Sequence, residues 1–132
     1  MTIITKSGKP LIYEKESYRL RGMWFDIYNA IGPGHKESVY GNAFEQLLKK
    51  NFVPYNREPS FDLNFGDENV GNYRPDFTAW NKIIIEFKSV DFIPKAFKEK
   101  VEQYLKVSGF RLAFIVNFGT SPITIIRRAN EK

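Results

Sequence analysis

Cysteine is absent from the 132 residues, and histidine occurs once, at His35. The first absence removes disulfides, thiolate zinc sites, iron–sulfur clusters and a cysteine nucleophile, and the second removes multi-histidine metal sites. Also missing are an apolar run long enough to cross a bilayer, a secretory opening at Met1, internal repeats and low-complexity tracts. These absences predict a cytoplasmic, single-domain chain over 1–132, with a polar leader at 1–16 and no membrane partner. Chemistry is left to carboxylates, lysines, hydroxyls and a hard metal held through oxygen.

What is present suffices to fold. Hydrophobic residues make up 42%, with twelve Phe and seven Tyr, too apolar a mixture for disorder. A chain of this length buries about two thirds of its surface. Twenty Lys and Arg against fifteen Asp and Glu leave a net charge of +5, which favours a polyanionic partner, although many small domains are mildly basic for solubility alone.

Periodicity divides the chain. Leu20, Met23, Trp24, Ile27 and Ile31 fall at helical spacing behind Ser17 as N-cap, and Gly32-Pro33-Gly34 stops that helix. Val39, Ala43, Phe44, Leu47 and Leu48 mark a second helix ending at Lys49-Lys50-Asn51. Residues 52–65 read as extended with a break at Pro54, and Gly66-Asp67-Glu68-Asn69 as a turn. Strands are expected at 73–79 and 83–90. Pro94 opens a third helix through Phe97, Val101, Leu105 and Ser108 to a Gly109 stop, and strands at 111–117 and 123–127 close the chain. The order ααβββαββ predicts an α/β fold with a central mixed sheet flanked by helices.

Strand 83–90 breaks its own pattern. Alternation puts Ile83, Ile85 and Phe87 on one face and Ile84, Glu86 and Lys88 on the other, so an acid and a lysine share one side of an apolar strand. Asp76 joins them if the hairpin loop is Trp80-Asn81-Lys82, because an even residue sum then sets Asp76 opposite Glu86; a two-residue loop would turn it away. A left-handed residue is expected at Asn81 or Lys82. Two carboxylates so placed repel unless a cation lies between them, and Mg²⁺, with Mn²⁺ as substitute, suits that oxygen set. Lys88 would stand beside a water that such an ion polarises. The bland alternative is an exposed cross-strand charge ladder.

Pro75-Asp76, nine intervening residues, then Glu86-Phe87-Lys88 resembles the signature of the PD-(D/E)XK nuclease superfamily. Gly34-His35-Lys36-Glu37-Ser38-Val39-Tyr40 is similar to the GxxExxY motif of a family of small bacterial proteins within it. The resemblance spans about 17–128 and includes Tyr104-Leu105-Lys106 and Asn117-Phe118-Gly119. It implies a restriction-endonuclease-like core, with Asp76 and Glu86 as metal ligands beside the Phe87 carbonyl, Lys88 as catalytic lysine and Glu37 as an accessory acid and further ligand. Related nucleases often carry Gln four residues before the helix tyrosine; here Lys100 stands there, and Gln103 directly precedes Tyr104.

The expected activity is metal-dependent hydrolysis of nucleic acid, DNA favoured over RNA. A non-cleaving binding module and a structural subunit are the alternatives, and a homodimer or larger assembly is compatible with either. Lys36, Arg74, Lys95, Lys98, Lys100 and Lys106 are expected phosphate contacts, with Arg111 extending the helix stripe, although charge runs on helices are usually solvated. Tyr40 and Tyr104 are expected to support the acids. His35, Trp24 and Trp80 read as structural, and Glu37 suits a helix start on dipole grounds alone.

Overall fold

The structure, a computed structural model, describes residues 11–130. Most of the expected polar leader lies outside them. The exception is its end, which is helical: α1 spans Glu14–Ile31 and begins ahead of Ser17, with left-handed Tyr13 at its cap and Glu14 and Glu16 facing the positive end of the helix dipole. Ser17 is thus an interior residue, buried among core side chains, rather than the cap. Leu20, Met23, Trp24 and Ile27 form the buried stripe, while Ile31 is partly exposed. Gly32, at a φ of 75°, ends the helix.

α2 spans Glu37–Lys50. Its buried face is turned one residue from the expected stripe: Tyr40, Phe44 and Leu48 go in, and Val39 stays out. The tyrosine can be buried because its hydroxyl donates to the Gly32 carbonyl at 2.7 Å and accepts from the His35 amide at 3.0 Å. Its ring stacks on Phe118 with centroids 4.1 Å apart.

The strands are β1 (Tyr55–Arg57), β2 (Phe61–Phe65), β3 (Glu68–Tyr73), β4 (Phe77–Ala79), β5 (Ile83–Lys88), β6 (Leu112–Asn117) and β7 (Thr124–Ala129), with α3 (Lys95–Ser108) between β5 and β6. The central sheet runs β1-β4-β5-β6-β7, with β5 and β6 parallel and the other pairs antiparallel; β2 and β3 make a separate two-stranded sheet. The expected continuous strand at 52–65 is therefore divided between two sheets, and 73–79 begins at the end of β3 and finishes as β4. With the β2–β3 hairpin set aside, the elements run ααβββαββ as expected.

Helices cover both faces of the central sheet. Ile83, Ile85, Phe87, Phe114 and Val116 pack with α1 and α2. Ile84, Ala113 and Ile115 pack with Val101 and Leu105 of α3 and with Tyr73 at the end of the hairpin. Between two such layers β5 and β6 are buried on both sides, which is why they read as near-continuous apolar runs. Gly109, left-handed at a φ of 78°, closes α3.

Candidate active site

The β4–β5 hairpin sets the site. Phe77 pairs with Ile85, Thr78 with Ile84 and Ala79 with Ile83, so the same register puts Asp76 opposite Glu86. The loop is Trp80-Asn81-Lys82 and Asn81 is left-handed, both as expected, with φ of 53°; Trp80 is left-handed as well, with φ of 52°. The Lys82 amide donates to the Ala79 carbonyl, and Arg19 lies 5.5 Å over the Trp80 ring.

The two carboxylates are interlocked. The Asp76 amide donates to Glu86 Oε1 at 2.9 Å, and the Phe87 amide donates to Asp76 Oδ2 at 2.6 Å. Each acid thus anchors the strand that carries the other. Tyr73 donates its hydroxyl to Glu86 Oε2 at 3.1 Å, and its ring stacks on Tyr104 with centroids 3.5 Å apart. Glu86 is 7% exposed. Burial first, then the charge of Asp76, push its pKa up to about 7, against the lowering pull of the Asp76 amide, Tyr73 and Lys88. Asp76 is also raised, by burial above all; the Phe87 amide and Lys88 oppose that, while Glu37 and Glu58 add to it. Burial and the Glu86 charge hold Tyr73 firmly protonated, so it remains a donor.

A Tyr73→Phe substitution removes the one side-chain donor to Glu86 among the described residues. The expected outcome is a further rise in the Glu86 pKa and a loss of about 1.5 kcal/mol at alkaline pH in the metal-free protein, the scale of a hydrogen bond to a charged group. Carboxylate titration followed by NMR, with urea melts at pH 8, checks both.

A cleft of about 190 Å³ opens at the sheet end, lined by Glu37, Ser38, Gly41, Arg57, Glu58, Asp76, Phe77 and Phe87. Glu37, in the first turn of α2, faces Asp76 across it. Phe87 lines the cleft and donates its amide to Asp76. Among the described residues no three Asp, Glu or His side chains converge into a cage. The donor set is therefore a carboxylate pair with Glu37 further off, which suits an ion that keeps much of its own water shell. The proximity of buried Glu86 to half-buried Asp76 fits a cation between them.

Lys88 shares the α3 side of β5 with Glu86. Its Nζ lies 4.1 Å from the centroid of the Phe97 ring, a cation–π contact that holds the ammonium beside the acids without closing an ion pair on them. Lys100 lies over Tyr104 at 5.9 Å. At about 100° per residue Lys100 shares the face of Phe97 and Tyr104, whereas Lys95, Lys98 and Lys106 point more than a third of a turn away. The expected single stripe on α3 is therefore split, and Lys95 is engaged with Glu99 at 3.6 Å. Gln103 is exposed and a quarter turn from Tyr104. Arg74 is exposed just ahead of Pro75-Asp76, and Lys36 lines an open recess with Gly34, His35, Glu37 and Ser89. Tyr40 does not reach the acids; it clamps the α1–α2 junction. His35 is structural as expected, its ring bonded to the Ile31 carbonyl at 2.8 Å.

Sequence reasoning missed Tyr73, Arg57, Glu58 and Gly41. Tyr73 was hidden because its place depends on how the β2–β3 insertion folds back. The signal for Gly41 was there: a glycine inside a helix marks a close approach. Glu58 is left-handed at a φ of 52°, rare for a non-glycine residue, and its amide donates to the Asp76 carbonyl at 2.9 Å. β1 is thereby tied to the chain beside the acid.

Comparison with known proteins agrees with this fold. No curated protein matches the sequence. The crystal structure of SSO0001 is similar, with a TM-score of 0.54 and 23% identity over 89% of this chain, and at that identity the likeness speaks to the fold alone. The chain spans 60% of that longer one. The model of the PD-(D/E)XK nuclease superfamily, whose members typically use divalent metals, matches residues 14–129. An acid opposite an acid at the end of a central hairpin, with a lysine one pleat beyond, is what that signature requires of a fold, and the chain belongs to the PD-(D/E)XK nuclease superfamily.

Proposed function

We propose that the chain is a divalent-metal-dependent nuclease that hydrolyses phosphodiester bonds, with Mg²⁺ as its ion and DNA as its preferred substrate. The observation that carries this reading is the Asp76–Glu86 pair, interlocked through each other's strands and raised in pKa by burial above all, Glu86 also by the charge of Asp76 and Asp76 by those of Glu37 and Glu58. Asp76 and Glu86 would hold the ion, with Glu37 facing it from α2. A divalent cation supplies Lewis acidity toward a phosphodiester there. The protein's own contributions are positional. Lys88, steadied on Phe97, presents a positive charge to the reacting phosphate and to the hydroxyl that attacks it. Lys100 and Lys36 would contact neighbouring phosphates, so binding should weaken steeply with salt. The domain has little surface to spare for base readout, which favours a structure-selective or nonspecific substrate, or a partner that supplies specificity.

The test is cleavage of labelled single-stranded, duplex and branched DNA and of RNA with Mg²⁺ or Mn²⁺. Asp76→Ala and Lys88→Ala are each expected to lower the rate by ~10³-fold, the scale of one lost electrostatic contact to a transition state. Salt-sensitive binding without cutting by the wild type would leave a binding module instead, and neither activity would leave a structural subunit.

A further inference from the structure

Arg57 is the cation of the cleft that the nuclease signature does not account for. It lies on edge strand β1, paired with Phe77, so it faces the α1–α2 side of the sheet, opposite to Lys88. Its NH1 group is committed, donating to Asn42 Oδ1 at 2.9 Å and to Glu45 Oε1 at 3.1 Å. Glu45 is itself fixed by the Tyr55 hydroxyl at 2.7 Å. The guanidinium carbon lies 5.3 Å over the Phe77 ring. One side of the fork is thus nailed to α2 and one face to an aromatic ring, while NH2 has no hydrogen-bond partner among the described residues. Room for that free edge is made by Gly41: a methyl there would come within 2.7 Å of Arg57 NH2. The other charged side chains on the cleft wall, Glu37, Glu58 and Asp76, are acids.

We propose that Arg57 is a phosphate-binding residue, holding a phosphate of the nucleic-acid strand against the Asp76–Glu86 pair from the α2 side while Lys88 attends from the α3 side. A planar fork with one edge anchored and the other free is suited to a phosphate's paired oxygens, and the anchoring removes most of the ordering cost of gripping them. A strand entering a cleft walled by three acids needs such a counter-charge. The inference rests on the nuclease reading for the identity of its ligand.

Two variants separate contact from scaffold. Arg57→Gln removes the charge. Gly41→Ala keeps the arginine but pushes its free edge aside, in a helix that alanine favours. Both are expected to lower kcat/KM on a short single-stranded DNA by roughly 10- to 100-fold, the worth of a charge-assisted hydrogen bond, with Arg57→Lys intermediate. In an Asp76→Asn background that cannot cut, Arg57→Gln should also reduce the slope of log affinity against log salt by about 0.7, one phosphate contact on a single strand. An unchanged slope with only a lower melting temperature would assign Arg57 to scaffolding and overturn the proposal, as would a wild type that neither cuts nor binds. A wild type that binds without cutting, with the slope change intact, would overturn the hydrolytic reading and sustain the phosphate contact.

Discussion

Replacing Glu86 with glutamine should make the metal-free protein more stable at pH 8 while abolishing cleavage. The folded pKa of Glu86 is raised from 4.5 to about 7, so the folded state keeps a proton that the unfolded chain gives up. Stability from this group is therefore fully present below pH ~4.5 and is lost as the pH rises to ~7, in total by on the order of 3 kcal/mol. Glutamine keeps an oxygen for the Asp76 amide and carries no charge to desolvate. Thermal melts in EDTA should show a gain of roughly 10 °C at pH 8, from a few degrees per kcal/mol, and almost none at pH 4. Added Mg²⁺ should raise the wild-type melting temperature and leave the variant where it is, because the ion removes the repulsion that glutamine has already removed. Equal melting of the two proteins in EDTA at pH 8 would show that the acid is not under this strain.

The second large effect is expected at Gly119. A methyl built there overlaps the amide nitrogen and the carbonyl oxygen of Val90, both backbone atoms with no side chain to swing away. The two segments meet because Asn117, 1% exposed, stitches them together: its Oδ1 accepts from the Val90 and Gly119 amides at 3.1 and 2.9 Å, and its Nδ2 donates to the Val90 carbonyl at 2.9 Å. The Phe118 amide holds the Lys88 carbonyl at 2.8 Å just upstream. Gly119→Ala must either spread this junction or lose its hydrogen bonds, a cost of about 3 kcal/mol or more. Because the junction follows Lys88 directly, cleavage at 15 °C, where the variant remains folded, should fall by at least tenfold. Urea denaturation and the low-temperature rate measure the two effects separately. Wild-type values for both would mean that the loops part freely.

The helices and the paired strands were legible because their signals are local. α3 is bounded by its start and stop residues, Pro94 and Gly109, which flank Lys95–Ser108, and the hairpin took the three-residue loop that parity required of it. The fine choices were not local. The turn at Trp80-Asn81 takes two left-handed non-glycine residues, a choice accompanied by Trp80 packing under Arg19. The buried face of α2 turned by one residue because Tyr40 found carbonyl and amide partners in the preceding loop. The even stripe of lysines on α3 was an expectation from counting, and helical phase divided it.

The candidate site shows the same boundary. Glu86 and Lys88 were readable by alternation, since a strand of period two leaves no choice about which neighbours share a face, whereas Asp76 joined them only on condition of a three-residue loop, which the register supplies. Tyr73, Arg57 and Glu58 were not, because each acts on residues many positions away and is delivered by a segment whose own pattern carries no trace of the target; the glycine inside α2 signalled a close approach at Gly41 but not what approaches it. Composition and periodicity alone pointed to an α/β domain with an acid and a lysine, Glu86 and Lys88, on one strand face, because burial and alternation are properties of neighbouring residues. Only the tertiary structure decided that those acids interlock through amides, that a tyrosine from an inserted hairpin holds one of them, and that an arginine from an edge strand stands over the cleft, because these depend on distances between segments that the chain order does not encode.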